Sequence, residues 1–137
     1  MNIGKYPGVP PPKNASDKER KVSGGPKYAK ADVLSLLRAS AIKIWTVRCG
    51  NHIQMLGLDM SEVADIVAEA ISKGKFICSE WCSQNPVGPD AICDAYVLTR
   101  SEWIKAANRK MDCEYYIKLA INKGGNVLLL VSCHTSN

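Results

Sequence analysis

The chain has 137 residues, 46% hydrophobic and 23% charged, with a net charge of +5. That length suits one domain able to bury a core without disulfide or metal staples, and no apolar run approaches the roughly 18 residues of a membrane span. The polar, proline-rich start does not read as a signal peptide, so a cytoplasmic protein with no membrane partner is expected.

Residues 1–26 hold five of the seven prolines and four glycines, and carry +3 of the charge. They have few large apolar groups to offset the entropy of ordering. A disordered or loosely docked arm is expected there, with a body over 27–137. Pro10-Pro11-Pro12 favours extended polyproline geometry, a form that partners can read. Within the body, residues 31–98 carry five basic and eight acidic side chains, whereas 99–137 carry six basic and three acidic. The C-terminal third is therefore the better place for a polyanion.

From Ala29 to Ala39 the apolar positions Val33, Leu36 and Leu37 recur at helical spacing. Ala41 to Val47 is rich in β-branched residues and predicts a strand, followed by a short helix over Asn51 to Leu56 that stops at Gly57. His52 is read there as a lone surface or packing residue. Asp59-Met60-Ser61-Glu62 has the form of a reciprocal helix cap. Val63, Ala64, Val67, Ala70 and Ile71 follow as one apolar stripe ending at Gly74.

Lys75 to Trp81 predicts a strand, residues 83–90 a long turn, and Ala91 to Leu98 another strand. Thr99-Arg100-Ser101-Glu102 repeats the capping pattern and predicts a short helix that turns Trp103, Ile104 and Ala107 inward. Cys113 to Ile121 and Val127 to His134 flank a Gly-Gly and Asn-rich link and predict an antiparallel hairpin. Helices early and strands late predict an α+β domain: an antiparallel sheet with helices packed on one face. The other face is left to solvent or a ligand.

Side chains alternate along a strand, so Tyr116 and Lys118 share a face, and Ser132 and His134 share one on the partner strand. A phenol, an ammonium and an imidazole can converge there. Of the six cysteines, Cys93, Cys113 and Cys133 lie in apolar runs and read as small buried hydrophobes. On a straight strand Cys78 and Cys82 would lie about 13 Å apart, too far to share a metal. No paired zinc-ligand spacing accompanies them, and neither has the basic neighbour in sequence that activates a thiol. Neither a metal nor a cofactor is expected.

Several segments together resemble the MqsR family of bacterial toxin-antitoxin ribonucleases. They are Leu56-Gly57-Leu58-Asp59 entering a capped helix, the strand at Phe76, Cys93-Asp94-Ala95-Tyr96, Tyr116-Ile117-Lys118-Leu119, and the closing Val131-Ser132-Cys133-His134. The similarity spans about residues 29–134 and rests on element order and short motifs. It implies a RelE-like fold, mRNA cleavage without metal, and a protein antitoxin, with the ribosome as a further candidate partner. Tyr116 and Lys118 match the Tyr and Lys of the family's V-Y-[LV]-K strand. His134 stands where that family places a catalytic Lys. Two positions depart: Ile77-Cys78-Ser79 replaces Tyr-Lys-Ser, and Cys93 replaces a functional Gln. The arm and the segment at 99–111 lie outside the family pattern.

RNA carries its own nucleophile, the 2′-hydroxyl, so a protein of this type must align it with the phosphate, move two protons and stabilise the anionic phosphorane. On that basis His134 is expected to transfer protons, since the histidine reference pKa is near neutrality. Lys118 supplies fixed charge, and Tyr116 orients the phosphate or assists proton transfer. Lys75, Arg100, Lys105 and Arg109 are expected to follow the RNA backbone. The departures at Cys78 and Cys93 support an alternative, a non-catalytic RNA- or protein-binding module on a RelE-like scaffold.

Overall fold

The computed structural model describes residues 8–84 and 87–135. The first seven residues of the expected arm, and Asn85-Pro86 of the expected turn, lie outside them. Four helices are described: α1 (Asp17–Arg20), α2 (Lys30–Arg38), α3 (Val47–Leu56) and α4 (Met60–Lys73). The strands are β1 (Lys21–Val22), β2 (Ile42–Ile44), β3 (Lys75–Ser83), β4 (Asp90–Ile104), β5 (Arg109–Ile121) and β6 (Leu128–Thr135). They form one sheet in the order β1-β3-β4-β5-β6-β2.

The α+β expectation matches this arrangement, but the sheet is mixed: β2 runs parallel to β6, with Ile42 opposite Leu128 and Ile44 opposite Leu130. The strand expected as far as Val47 stops at Ile44. Thr46 ends it by capping α3, accepting from Cys49 N–H at 3.0 Å while donating its hydroxyl proton to the Val131 carbonyl at 3.0 Å. α3 therefore begins four residues earlier than its apolar pattern predicts, and ends at Gly57 in the left-handed region (φ 68°).

α4 follows the sequence closely. Asp59 accepts from Glu62 N–H at 2.8 Å, and Glu62 accepts from Asp59 N–H at 3.0 Å. Behind this cap Val63, Ile66, Val67, Ala70 and Ile71 are buried, and they meet Tyr96 and Leu98 of β4, Tyr115, Ile117 and Leu119 of β5, and Leu128 and Leu130 of β6 in one core. Each such side chain contributes roughly 1.5–3 kcal/mol when fully buried. Gly74 lets the chain turn straight into β3, because a Cβ there would lie 2.8 Å from the Val97 carbonyl oxygen.

The helix expected over 99–111 is absent. β4 runs on to Ile104, a short 3₁₀ turn covers Lys105–Ala107, and β5 starts at Arg109, so the segment is a two-stranded ribbon with Thr99 opposite Glu114 and Ile104 opposite Arg109. Strand pairing takes the groups that the capping pattern would have used. Glu102 accepts from the Tyr115 hydroxyl at 2.7 Å and sits 3.7 Å from Arg100. Trp103, expected inward, is 59% exposed.

The terminal hairpin is present, with Asn122 Oδ1 accepting from the backbone N–H groups of Asn126 and Val127 at 2.9 and 3.0 Å. Residues 17–22 of the segment expected as a disordered or loosely docked arm carry α1 and β1, and β1 pairs antiparallel with β3, Lys21 opposite Glu80. Polar anchoring replaces the missing apolar burial. Lys13 Nζ donates to Asp90 at 2.9 Å, Ser83 at 3.0 Å and the Gly88 carbonyl at 2.8 Å. The fully buried Asp94 carboxylate accepts from Lys27 N–H, Tyr28 N–H and the Ser79 hydroxyl, tying the arm's root to β4. Among the described residues, no helix is long and apolar enough to cross a membrane.

Candidate functional site

The pairing register assembles the site. Tyr116 of β5 lies opposite His134 of β6, and Lys118 lies opposite Ser132. Paired residues share a face, so Tyr116, Lys118, Ser132 and His134 all point away from the α4-covered core. The Tyr116 and His134 rings stack with centroids 5.5 Å apart and planes 24° from parallel. Tyr116 is 39% exposed. His134 Nδ1 is 3.1 Å from the Thr135 carbonyl. That oxygen can only accept, so the contact places a proton on Nδ1 and leaves Nε2 for chemistry.

Lys118 is not a free amine. Its Nζ lies 2.9 Å from Glu80 Oε1, and Lys21 Nζ lies 3.4 Å from Glu80 Oε2. Burial pushes the Glu80 carboxyl up, but hydrogen bonding to Lys118 and the charges of Lys118 and Lys21 outweigh it and hold the group below its ordinary value. For Lys118, burial is the largest single influence and pushes down, but the Glu80 hydrogen bond and charge, with Cys82 and Cys93 beside it, together outweigh it and hold the ammonium above the ordinary lysine value. Lys118 is thus a fixed cation and not a base.

A cleft of about 790 Å³ opens beside this pair. Glu80, Cys82, Lys118 and Ser132 lie on its sheet side, while Arg20 of α1 and Arg48 of α3 stand on its two margins. Tyr116 and His134 are outside it, further along the same sheet face. Arg20 donates to the Ala15 and Lys13 carbonyls at 3.3 and 2.6 Å, so its charge is not cancelled by these partners.

The four expected RNA-backbone contacts separate. Lys75 pairs with Val97, which pairs with Tyr116, so Lys75, Tyr116 and His134 stand in one row across the sheet. Two strand spacings put Lys75 roughly 10 Å from Tyr116. Arg100 lies on the helix-covered side, 3.2 Å from Glu69 of α4. Lys105 and Arg109 sit at the tip of the β4–β5 ribbon. Seven residues of strand separate Arg109 from Tyr116, roughly 23 Å.

The least anticipated neighbour is His52. α3 lies beside the second half of β6, and its His52 ring is 5.1 Å from that of His134, tilted by 59°. The chain's two histidines are therefore adjacent, and the reading of His52 as a lone residue is corrected. Burial, then the His134 ring and Arg48, hold His52 below its ordinary value. Nothing in the local sequence signals this, because the partners are joined only by the docking of α3 on the far hairpin.

The cysteines divide by environment. Cys49 and Cys133 are buried, and burial pushes their thiols up to about 12 and about 11. Cys113, expected to be buried, is only partly so. Cys82 is held below its ordinary value, first by a hydrogen bond with Cys93 and then by the Lys118 charge. Cys78, which lacks a basic neighbour in sequence, gains one from β1: Lys21 Nζ lies 3.3 Å from its sulfur. Among the described residues, no group of three or more His, Cys, Asp or Glu is placed to hold a metal ion. In comparisons with protein-family models, curated proteins and solved structures, no match to this chain is found.

Proposed function

We propose that this chain is a metal-independent endoribonuclease toxin of the MqsR type, on a RelE-like scaffold, that cleaves mRNA by 2′-hydroxyl attack and is neutralised by a protein antitoxin. The observation that carries this reading is the stacked Tyr116–His134 pair with Lys118 two residues along the same face. His134 handles a proton through Nε2, Lys118 stabilises phosphorane charge, and Tyr116 orients the phosphate. Lys75 in the same row and the arginines beside the cleft attract the RNA backbone. DNA is refused because it lacks the attacking hydroxyl.

The test is incubation of the purified protein with mRNA in the presence of chelator. Cleavage by the intact protein and its loss in His134→Ala, with an unchanged circular dichroism spectrum, is the expected result. Equal cleavage by the variant moves the chemistry elsewhere. One observation favours the alternative of a non-catalytic RNA- or protein-binding module: the Lys118 ammonium is already engaged by Glu80. Tight RNA binding with no cleavage, alone or on ribosomes, selects that alternative.

A further inference from the structure

Transfer to the 2′-hydroxyl needs two proton movements, and one imidazole in one protonation state performs only one of them at a time. The fold brings a second imidazole to the first: His52, from α3, lies 5.1 Å from His134 across the edge of β6. Two rings this close resist double protonation, since like charges at such a distance disfavour each other. They are therefore suited to holding a single proton between them. At His52 burial first and then the His134 ring disfavour the charged form, and Arg48, one helical turn earlier on the same helix, adds to them. Its guanidinium opposes an imidazolium at His52.

We propose that His52 and His134 are an acid–base pair, with neutral His52 taking the proton from the 2′-hydroxyl and protonated His134 delivering one to the departing 5′-oxygen. This inference rests on the ribonuclease reading above. As the 2′-oxygen forms its bond to phosphorus, its proton passes to His52. As the P–O5′ bond breaks, the leaving oxygen receives the His134 proton. The products are a 2′,3′-cyclic phosphate and a 5′-hydroxyl, and the two rings have exchanged protonation states without net gain or loss.

The charged and titratable groups around the pair fit these roles. Arg48 faces it from α3, and Tyr116, Lys118 and Glu114 share its face from β5. Lys75 stands in the same row from β3. Glu80 also lies on this face but is held by Lys118 and Lys21, so Arg48 and Lys75 outnumber the remaining carboxylate, Glu114, which favours a neutral base and attracts the phosphate.

The test compares full-length wild type, His52→Gln and His52→Ala in RNA cleavage across pH, each checked for fold by circular dichroism. Wild type should show a bell-shaped profile. Its acid limb reports protonation of His52, and its alkaline limb reports loss of the His134 proton. His52→Gln should lose about 10²–10⁴-fold in rate together with the acid limb, and added imidazole should restore part of the His52→Ala rate. Cleavage by His52→Gln at the wild-type rate and profile overturns the pair while leaving the ribonuclease reading in place. Absence of cleavage by wild type overturns both. An independent readout is the NMR titration of the His52 ring, which should move to higher pH in His134→Gln. An unmoved titration contradicts the coupling whatever the activity.

Discussion

Tyr116 and His134 face each other across β5 and β6, and their rings stack with centroids 5.5 Å apart and planes 24° from parallel. The stack fixes the imidazole plane from one side, and the Nδ1 contact to the Thr135 carbonyl fixes its rotation in that plane. A ring held twice needs little reorganisation before a proton moves, which is where positioning lowers a barrier.

Replacing Tyr116 separates the ring from its hydroxyl. Tyr116→Phe retains the stack and should lower the RNA cleavage rate by about 10²-fold if the phenol orients the phosphate. Tyr116→Ala removes both functions and should lower it further. Single-turnover rates for the two variants check this, and equal rates in the two would assign the whole effect to the hydroxyl and none to the stacked ring.

The Glu80–Lys118 pair predicts a stability change with a defined dependence on pH. Lys118→Met leaves the 8% exposed Glu80 with only Lys21. The expected cost is about 1–3 kcal/mol, below that of a fully buried pair because the ammonium is partly solvated. The folded-state value of Glu80 is depressed, so its contribution is present above the unfolded value of about 4.3 and is lost as pH falls through the folded value. That of Lys118 is raised, so its contribution is present below about 10.4 and is lost as pH rises through the folded value. Urea denaturation of wild type, Lys118→Met, Glu80→Gln and the double variant measures the coupling. A double variant equal to the sum of the singles denies the pair any energetic role.

Asp94 predicts a purely structural defect. Its buried carboxylate accepts from Lys27 N–H, Tyr28 N–H and the Ser79 hydroxyl. Asp94→Ala orphans these donors and should cost about 2–5 kcal/mol. Hydrogen exchange should show loosening first around Lys27 and Tyr28. A change confined to β4 would contradict the anchoring role.

Lys75 predicts an electrostatic effect without loss of chemistry. Lys75→Gln should weaken RNA binding and reduce the slope of log affinity against log salt by about 0.7, the share of one phosphate contact on a single strand. Binding titrations at several salt concentrations check this. An unchanged slope would take Lys75 off the RNA path.

Much of the fold is legible because local and tertiary demands agree in particular segments. Asp59 and Glu62 cap a helix whose stripe meets the sheet, and Asn122 closes the turn of the hairpin that carries Tyr116 and His134. Thr99 to Glu102 mislead because the same residue types that cap a helix also alternate along a strand. Arg100 is drawn to Glu69, and Glu102 to the Tyr115 hydroxyl, contacts that only the folded sheet supplies. The parallel placement of β2 is set by packing that no local pattern encodes. Strand alternation alone puts Tyr116 and Lys118 on one face of β5 and Ser132 and His134 on one face of β6, and the pairing register makes the two faces coincide. Glu80 beside Lys118, and His52 beside His134, do not follow from alternation, since each joins residues far apart in the chain.

The most direct measurement is the chemistry of the cut ends when full-length protein cleaves a defined RNA in chelator. Attack by the 2′-hydroxyl predicts a 2′,3′-cyclic phosphate on one fragment and a 5′-hydroxyl on the other, with no cut at a position carrying a single 2′-deoxynucleotide. Fragments ending in 5′-phosphate and 3′-hydroxyl, or a cut that persists at the deoxynucleotide, would contradict it.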